Sequence, residues 1–345
     1  TADAVTLSGD DGDDTVINEG IVEAVADATA TGVSVSYTGQ GVSVAGTFFE
    51  GGSTSDAVAS GIGGGTGADN LLNSSAATID VQSHARTSDT AVAVTLIGVA
   101  GAGSRAIAIS DGYGMAGGND SDVIQNEGII TQTTSADALA SSITFAGSGA
   151  AISSAGAVGH SLGTGLAGGK GNDTVTNFGT VDLTSNAAAI GQSISVVTGF
   201  GGSIADANAD AISEATGISG NEGADELTNA SNIIVRTNAS TEARDISYST
   251  LGVALGKANS VSEVAVTGMS GGDGNDIIVN SESGDIVAAS KATADSSSTK
   301  IALGGFTDAE ANSSIHAIAT GLSGGAGDDG ILNAGALNIR SQSVN

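Results

Sequence analysis

The stretch Gly168-Gly169-Lys170-Gly171-Asn172-Asp173-Thr174-Val175-Thr176-Asn177-Phe178-Gly179-Thr180-Val181-Asp182-Leu183-Thr184 decides how this chain folds. A Gly-rich turn closes on Asp173, a short segment alternates polar with apolar residues up to Asn177, and a break at Gly179 starts another alternating run. Period-2 alternation between Gly and Asn breaks is the pattern of strands, whose side chains point in turn to opposite faces. The pattern recurs along the chain. The closing Asp falls at Asp14, Asp69, Asp122, Asp173, Asp225, Asp276 and Asp329, and four residues later stand Asn18, Asn73, Asn126, Asn177, Asn229, Asn280 and Asn333. Successive steps are 55, 53, 51, 52, 51 and 53 residues. So constant an interval marks a repeat architecture in which each unit buries its apolar face on the next.

Between the turns the strand signal continues. Gln192-Ser193-Ile194-Ser195-Val196 alternates, and so does Ala205-Asp206-Ala207-Asn208-Ala209-Asp210-Ala211, although Ala alone favours helix. The expected fold is all-β: a parallel β-solenoid, β-helix or β-roll-like, of about seven stacked repeats of about 52 residues in a single array over residues 1–345. Like residues would then lie about 4.8 Å apart in ladders. An inward Asn can donate to the coil on one side and accept from the coil on the other, which explains its recurrence. Gly20, Gly128, Gly179 and Gly335, which follow it, are expected at positive φ. A second Gly-rich break near mid-repeat, as at Gly39-Gln40-Gly41 and Gly147-Ser148-Gly149, permits one large flattened coil or two coils of about 26 residues. The single large coil is the expectation, because it sets every turn beside its copy. The Ala, Ser and Gly at alternating positions predict a thin slab whose sheets approach more closely than the usual ~10 Å. Neither end of the sequence reads as a capping unit, so a window on a longer chain, or a unit that stacks end to end, is expected.

Composition narrows the class. Acidic residues number 38 against 9 basic, for a net charge of −29, while 40% of residues are hydrophobic, which argues against disorder. No Cys is present, so disulfides, structural zinc and thiol catalysis are excluded together. No apolar run reaches the roughly 20 residues of a membrane span. A chain of this charge repels a phosphate backbone, and no nucleic-acid partner is expected.

The turns, at 9–14, 64–69, 117–122, 168–173, 220–225, 271–276 and 324–329, carry the chemistry. Their copies include Gly271-Gly272-Asp273-Gly274-Asn275-Asp276 and Gly324-Gly325-Ala326-Gly327-Asp328-Asp329, each leading into a strand such as Ile277-Ile278-Val279. They resemble the GGxGxDxUx nonapeptide of RTX, or haemolysin-type, calcium-binding proteins. The resemblance covers about 15% of the chain and concerns the turn alone, since RTX modules repeat the nonapeptide in tandem and this chain carries one copy per repeat. It implies Ca2+ held by carbonyl and carboxylate oxygens. The candidate ligands are Asp10, Asp11, Asp13, Asp14, Asp69, Asp120, Asp122, Asn172, Asp173, Asp225, Asp273, Asn275, Asp276, Asp328 and Asp329. Sites with Asp120 in place of Gly, or with Ala68 or Ala224 before the Asp, are expected to be weaker. The alternative is that Gly and Asp serve turn geometry alone. Against it stands the repulsion within a column of seven stacked carboxylates.

Catalysis has little support. His84, His160 and His316 are read as out of phase with one another, and no P-loop, nucleophile elbow or HExxH occurs. The nine basic residues are scattered, unlike the clusters with which solenoid lyases bind uronates. Two uses remain: a bacterial structural protein, calcium-stiffened and self-associating head to tail into a surface layer, matrix fibre or filament, which the RTX resemblance implies is secreted, or the repetitive stalk or binding region of a large RTX-type adhesin. Aromatic residues make up just 3%, and the one adjacent pair, Phe48-Phe49, falls in an expanded repeat, so the structural use is favoured over a ligand-binding platform.

Overall fold

The computed structural model describes residues 1–46 and 52–345; the Phe48-Phe49 pair lies outside them. Among the described residues every regular element is a strand. A long ribbon and a four-residue strand alternate along the chain. The ribbons are β1 (Ala2–Asp11), β3 (Ile21–Gly46) with β4 (Ser53–Thr66), β6 (Thr78–Asn119), β8 (Ile129–Lys170), β10 (Thr180–Glu222), β12 (Asn232–Asp273), β14 (Asp285–Ala326) and β16 (Ala336–Val344). The short strands are β2 (Thr15–Asn18), β5 (Asn70–Asn73), β7 (Val123–Asn126), β9 (Thr174–Asn177), β11 (Glu226–Asn229), β13 (Ile277–Asn280) and β15 (Gly330–Asn333). The ribbons form one parallel sheet and the short strands a second, each following chain order.

The register settles the winding. Val181 pairs with Ile233, Ala211 with Ser262 and Leu227 with Ile278, each one repeat further on. One repeat is therefore one coil, and two coils of about 26 residues are ruled out. Within a coil the ribbon doubles back at a positive-φ glycine: Gly41, Gly98, Gly149, Gly201, Gly252 and Gly305 form a column, with φ from 111 to 149°. Its two halves face each other across the slab, where Ser153 Oγ donates to the Ser142 carbonyl at 2.8 Å and Ser213 Oγ to the Ser185 carbonyl at 2.9 Å. The gap is narrow. A Cβ on Gly191 would lie 2.3 Å from the Asn208 carbonyl oxygen of the facing half, and one on Gly159 2.7 Å from that of Ala188. Ala, Ser and Gly therefore predominate among the side chains between the halves.

At the other end of the slab the short strand adds a third wall and the interior widens. Three columns of large side chains fill it: Leu71, Ile124, Val175, Leu227 and Ile278 from the short strands; Ile79, Ile130, Val181, Ile233 and Ile286 from the ribbon's start; Ile62, Met115, Leu166, Ile218 and Met269 from its end. All are fully buried. One column in the first half breaks the rule: Gln132 stands between Val81 and Leu183 with neither amide atom partnered, opposite Gly112 and Gly163.

The corner that follows the short strand behaves as expected in one respect and not in another. The seven Asn form an unbroken ladder, each Nδ2 donating to the next coil's Oδ1 at 2.8–2.9 Å from Asn18 to Asn333. The glycines after them do not adopt positive φ. Gly128, Gly179 and Gly335 are required by close stacking instead, since a Cβ there would meet a carbonyl oxygen of the preceding coil at 2.3, 1.9 and 2.1 Å.

Candidate functional site: the Gly–Asp edge

Each Gly-rich turn places six residues in columns along the solenoid axis. The second and fourth positions are left-handed throughout: Gly65, Gly118, Gly169, Gly272 and Gly325 in one column, Gly12, Gly67, Gly171, Gly223, Gly274 and Gly327 in the other. Where glycine is absent, Asp10 (φ 69°), Asn221 (φ 77°) and Asp120 (φ 74°) take its place. Asp and Asn tolerate this region better than other residues with a Cβ. These departures from the motif keep the backbone path of the turn.

The sixth position is the closing aspartate, and here the edge turns inward. Asp69, Asp122, Asp173, Asp225 and Asp276 are only 1–2% exposed. Each Oδ1 accepts the backbone N–H of the aspartate one coil earlier, at 2.8–3.0 Å from Asp14 through to Asp329. Each Oδ2, from Asp14 to Asp276, is buried without a hydrogen-bond partner. It rests against the first glycine of its own turn: a Cβ on Gly64 would sit 2.5 Å from Asp69 Oδ2 and 2.3 Å from the Gly117 carbonyl oxygen, and Gly117, Gly168, Gly220 and Gly271 repeat the arrangement. A row of partnerless carboxylate oxygens at strand spacing disfavours ionisation. Burial, with the charges of Asp173, Asp69 and Asp120 added and the Asp69 N–H opposing, pushes the Asp122 carboxyl up to about 7. Burial likewise raises Asp225 to about 6 and raises Asp173 above its usual range.

The remaining candidate ligands divide from this column. Asp10, Asp11, Asp13, Asp120, Asp273 and Asp328, with Asn172 and Asn275, are exposed on the rim. At the fifth position the ladder runs in the opposite sense: Ala68 N–H donates to Asp13 Oδ1 at 2.9 Å, Ala224 N–H to Asn172 Oδ1 at 2.9 Å and Asp328 N–H to Asn275 Oδ1 at 2.8 Å. The two antiparallel sets of side-chain bonds clip consecutive turns from both directions, a function the motif reading missed.

For a hard cation the edge supplies oxygen donors of the right kind. Among the described residues, however, no three His, Cys, Asp or Glu side chains stand close enough to share one ion. The six to eight oxygens that calcium takes would have to come largely from backbone carbonyls.

Away from the edge, one reading is corrected. His160 and His316 share a phase after all: both precede their turn's Asp by 13 residues (173 − 160 and 329 − 316), and the register puts them in one column with Ile212 and Glu263 between. His84 belongs to the opposite face, with Nδ1 3.4 Å from Asp27. The offset was available in the sequence as a simple count from the ladder Asp. No protein-family model, curated protein or solved structure matches the chain. No helix among the described residues is long and apolar enough to cross a membrane.

Proposed function

We propose that this chain is a non-catalytic, secreted bacterial structural protein, a stiff solenoid segment of a surface layer, matrix fibre or filament, whose acidic turn edge takes up calcium. One observation carries the reading: the buried Asp column, in which Asp69, Asp122, Asp173, Asp225 and Asp276 each use Oδ1 for coil-to-coil bonding and keep Oδ2 without a partner. Unpaired charges repeated at strand spacing must be neutralised for the array to be stable. Calcium, bound by Asp14, Asp69, Asp122, Asp173, Asp225, Asp276 and Asp329 with glycyl carbonyls, would supply that charge and couple folding to the ion's concentration, because the ligand favours the folded state. Head-to-tail self-association is part of the proposal. Among the described residues consecutive coils pair along their ribbons, so the same pairing would join one copy to another.

A second reading is favoured by the closeness of Oδ2 to the turn glycines: protons, rather than calcium, neutralise the column, and the carboxyls at Asp122 and Asp225 are already raised toward neutral pH. A stalk role in a larger adhesin uses the same rigid shaft. The test is circular dichroism during a calcium titration of EDTA-treated protein at pH 8 and at pH 5, with magnesium as control. Calcium-selective gain of β-signal or thermal stability at pH 8 supports the calcium reading. Full β-structure in EDTA, indifferent to calcium and stabilised by acid, refutes it in favour of protons.

A further inference from the structure

The ribbon's double-back end differs in character from the rest of the surface. Across the columns from Val35 to Val42 and their equivalents in five further coils, the only charged residue is Lys300, which points inward to a buried ion pair with Asp245. Many of its outward positions are large and apolar, with Gln40, Thr198 and Thr299 exposed among them. Tyr37 is 67% exposed, Phe200 75%, Leu303 70% and Phe306 60%, and Val33, Val35, Val42, Leu96, Ile97 and Leu251 lie open beside them on the edge and the two adjoining faces. The pairing shows one unbroken apolar column, Tyr37, Val94, Phe145, Val196, Tyr248 and Ile301, whereas Ala150 and Gly202 stand between Val99 and Val253 in the column from Val42 to Phe306. At the tip Gln40, Ile97 and Ser148 align, as do Phe200, Leu251 and Gly304. Coil four carries a register shift between Val197 and Phe200, and the irregularity leaves Phe200 protruding from the edge next to Gly199 and Gly202.

Taking roughly 150 Å² for a fully exposed large side chain, the open apolar surface is on the order of 1,000 Å² summed over the edge and both adjoining faces, and about 450 Å² at the tip itself, from Leu96, Ile97, Phe200, Leu251 and Leu303. The largest apolar patch of a typical monomer is about 300–600 Å², and a standard interface buries about 800 Å² on each partner. We propose that this apolar edge is a lateral interface and that its occupant is a second copy of the same chain, set edge to edge.

Two observations select a second copy. The unbroken apolar column rises at strand spacing over six coils, about 4.8 Å per step, and a partner that matches it along its length must share that rise, as another solenoid does. Charge selects the same partner. Copies of this acidic chain repel one another most where the acidic turns meet, and those turns stand at the far end of the slab, while on the ribbon Asp308 and Glu310 stand two and four residues beyond Phe306. Each half-ribbon of about 20 residues separates the two edges by roughly 65 Å, many times the ~8–10 Å screening length. Edge-to-edge pairing thus buries the apolar end and leaves both acidic edges outermost.

The inference is independent of calcium, and its test is run in EDTA. Because the chain has no Cys, Phe200→Cys and, separately, Leu303→Cys each introduce a single thiol at the apolar edge, and Asp13→Cys one at the acidic edge. Light scattering coupled to size exclusion measures the mass of the unmodified chain. The expected results are a dimer or larger species, efficient crosslinking of the two apolar-edge thiols with little for Asp13→Cys, and at least about tenfold weaker association in Phe200→Glu/Leu251→Glu. The apolar-edge variants should keep the β-spectrum, since their altered side chains point outward. A monomeric mass of 32.8 kDa at the highest soluble concentration would overturn the proposal. So would association that the paired Glu substitutions leave intact, which assigns it to the coil faces instead. Capture of monomeric protein on zwitterionic vesicles, lost in the same variant, would equally overturn it and identify a lipid surface as the occupant.

Discussion

The two ends of the slab invert one another. At the turn end, large aliphatic side chains such as Leu227, Ile233 and Ile218 are buried within three walls, and carboxylates crowd the rim. At the double-back end the interior holds Ala93, Ala102, Ser153, Ser195 and Ser203, bridged by hydroxyl hydrogen bonds, while Tyr37, Phe200 and Leu303 stand outside. The difference is geometric. Two ribbons facing each other without a third wall leave a gap filled mainly by small side chains, the buried Lys300–Asp245 pair being admitted opposite Gly256, and a hydroxyl that bonds across the gap satisfies itself. The apolar effect is therefore used inside at one end and remains available outside at the other.

Truncating equivalent leucines at the two ends breaks the comparison most directly. Leu227→Ala, in the wide triangular core, should cost about 2–5 kcal/mol in urea or thermal unfolding, whereas Leu251→Ala at the open edge, measured in monomeric protein, should change stability by about 0.5 kcal/mol or less. Equal losses would show that the apolar edge is packed within the monomer. Asn177→Ala, which leaves Asn126 Nδ2 only its long bond to the Thr180 carbonyl (3.4 Å) and Asn229 Oδ1 only that from Ser231 N–H (3.3 Å), should cost about 1–3 kcal/mol. A smaller loss would mean that water replaces the missing amide.

Acidity sharpens the contrast between the edges. The raised carboxyls bind protons more tightly in the folded than in the unfolded chain, so the stability they contribute is full below the usual carboxylate range near 4. It is lost as pH rises through about 6 for Asp225 and about 7 for Asp122. In EDTA the melting temperature should fall between pH 5 and pH 8, and Asp122→Asn should reduce that slope; a flat profile in EDTA would exclude proton-linked strain at the turn edge. The smallest effect concerns the one polar intruder in the large-residue core. Gln132→Leu, which matches Leu183 in the next coil and removes two partnerless amide atoms, should stabilise by about 1 kcal/mol. Destabilisation instead would indicate that the amide is hydrated between Gly112 and Gly163.

Much of this was legible before any coordinate. The spacing of Asp173 from Asn177, repeated seven times, specified parallel coils in register, and the amide chemistry of Asn specified its ladder. The glycine-to-Asp or glycine-to-Asn exchanges at Asp10, Asp120 and Asn221 were visible too, but their left-handed backbone shows why those types were admitted. Less legible was the role of Gly128 and Gly179, whose need comes from the carbonyl of the neighbouring coil and not from their own dihedral angles. The split of the candidate ligands into a buried column and an exposed rim was likewise hidden, because consecutive residues of a tight turn do not alternate as strand residues do.

By itself the sequence determined the period, the parallel register and the identity of each ladder, since these depend on residue spacing along one chain. Only the tertiary structure decided which face of each ribbon is the inside. Ser193-Ile194-Ser195-Val196 reads equally well with either parity, for period-2 alternation defines two faces without ranking them. The narrow gap between facing half-ribbons ranked them, admitting Ser193 and Ser195 to the interior and sending Ile194 and Val196 to the surface.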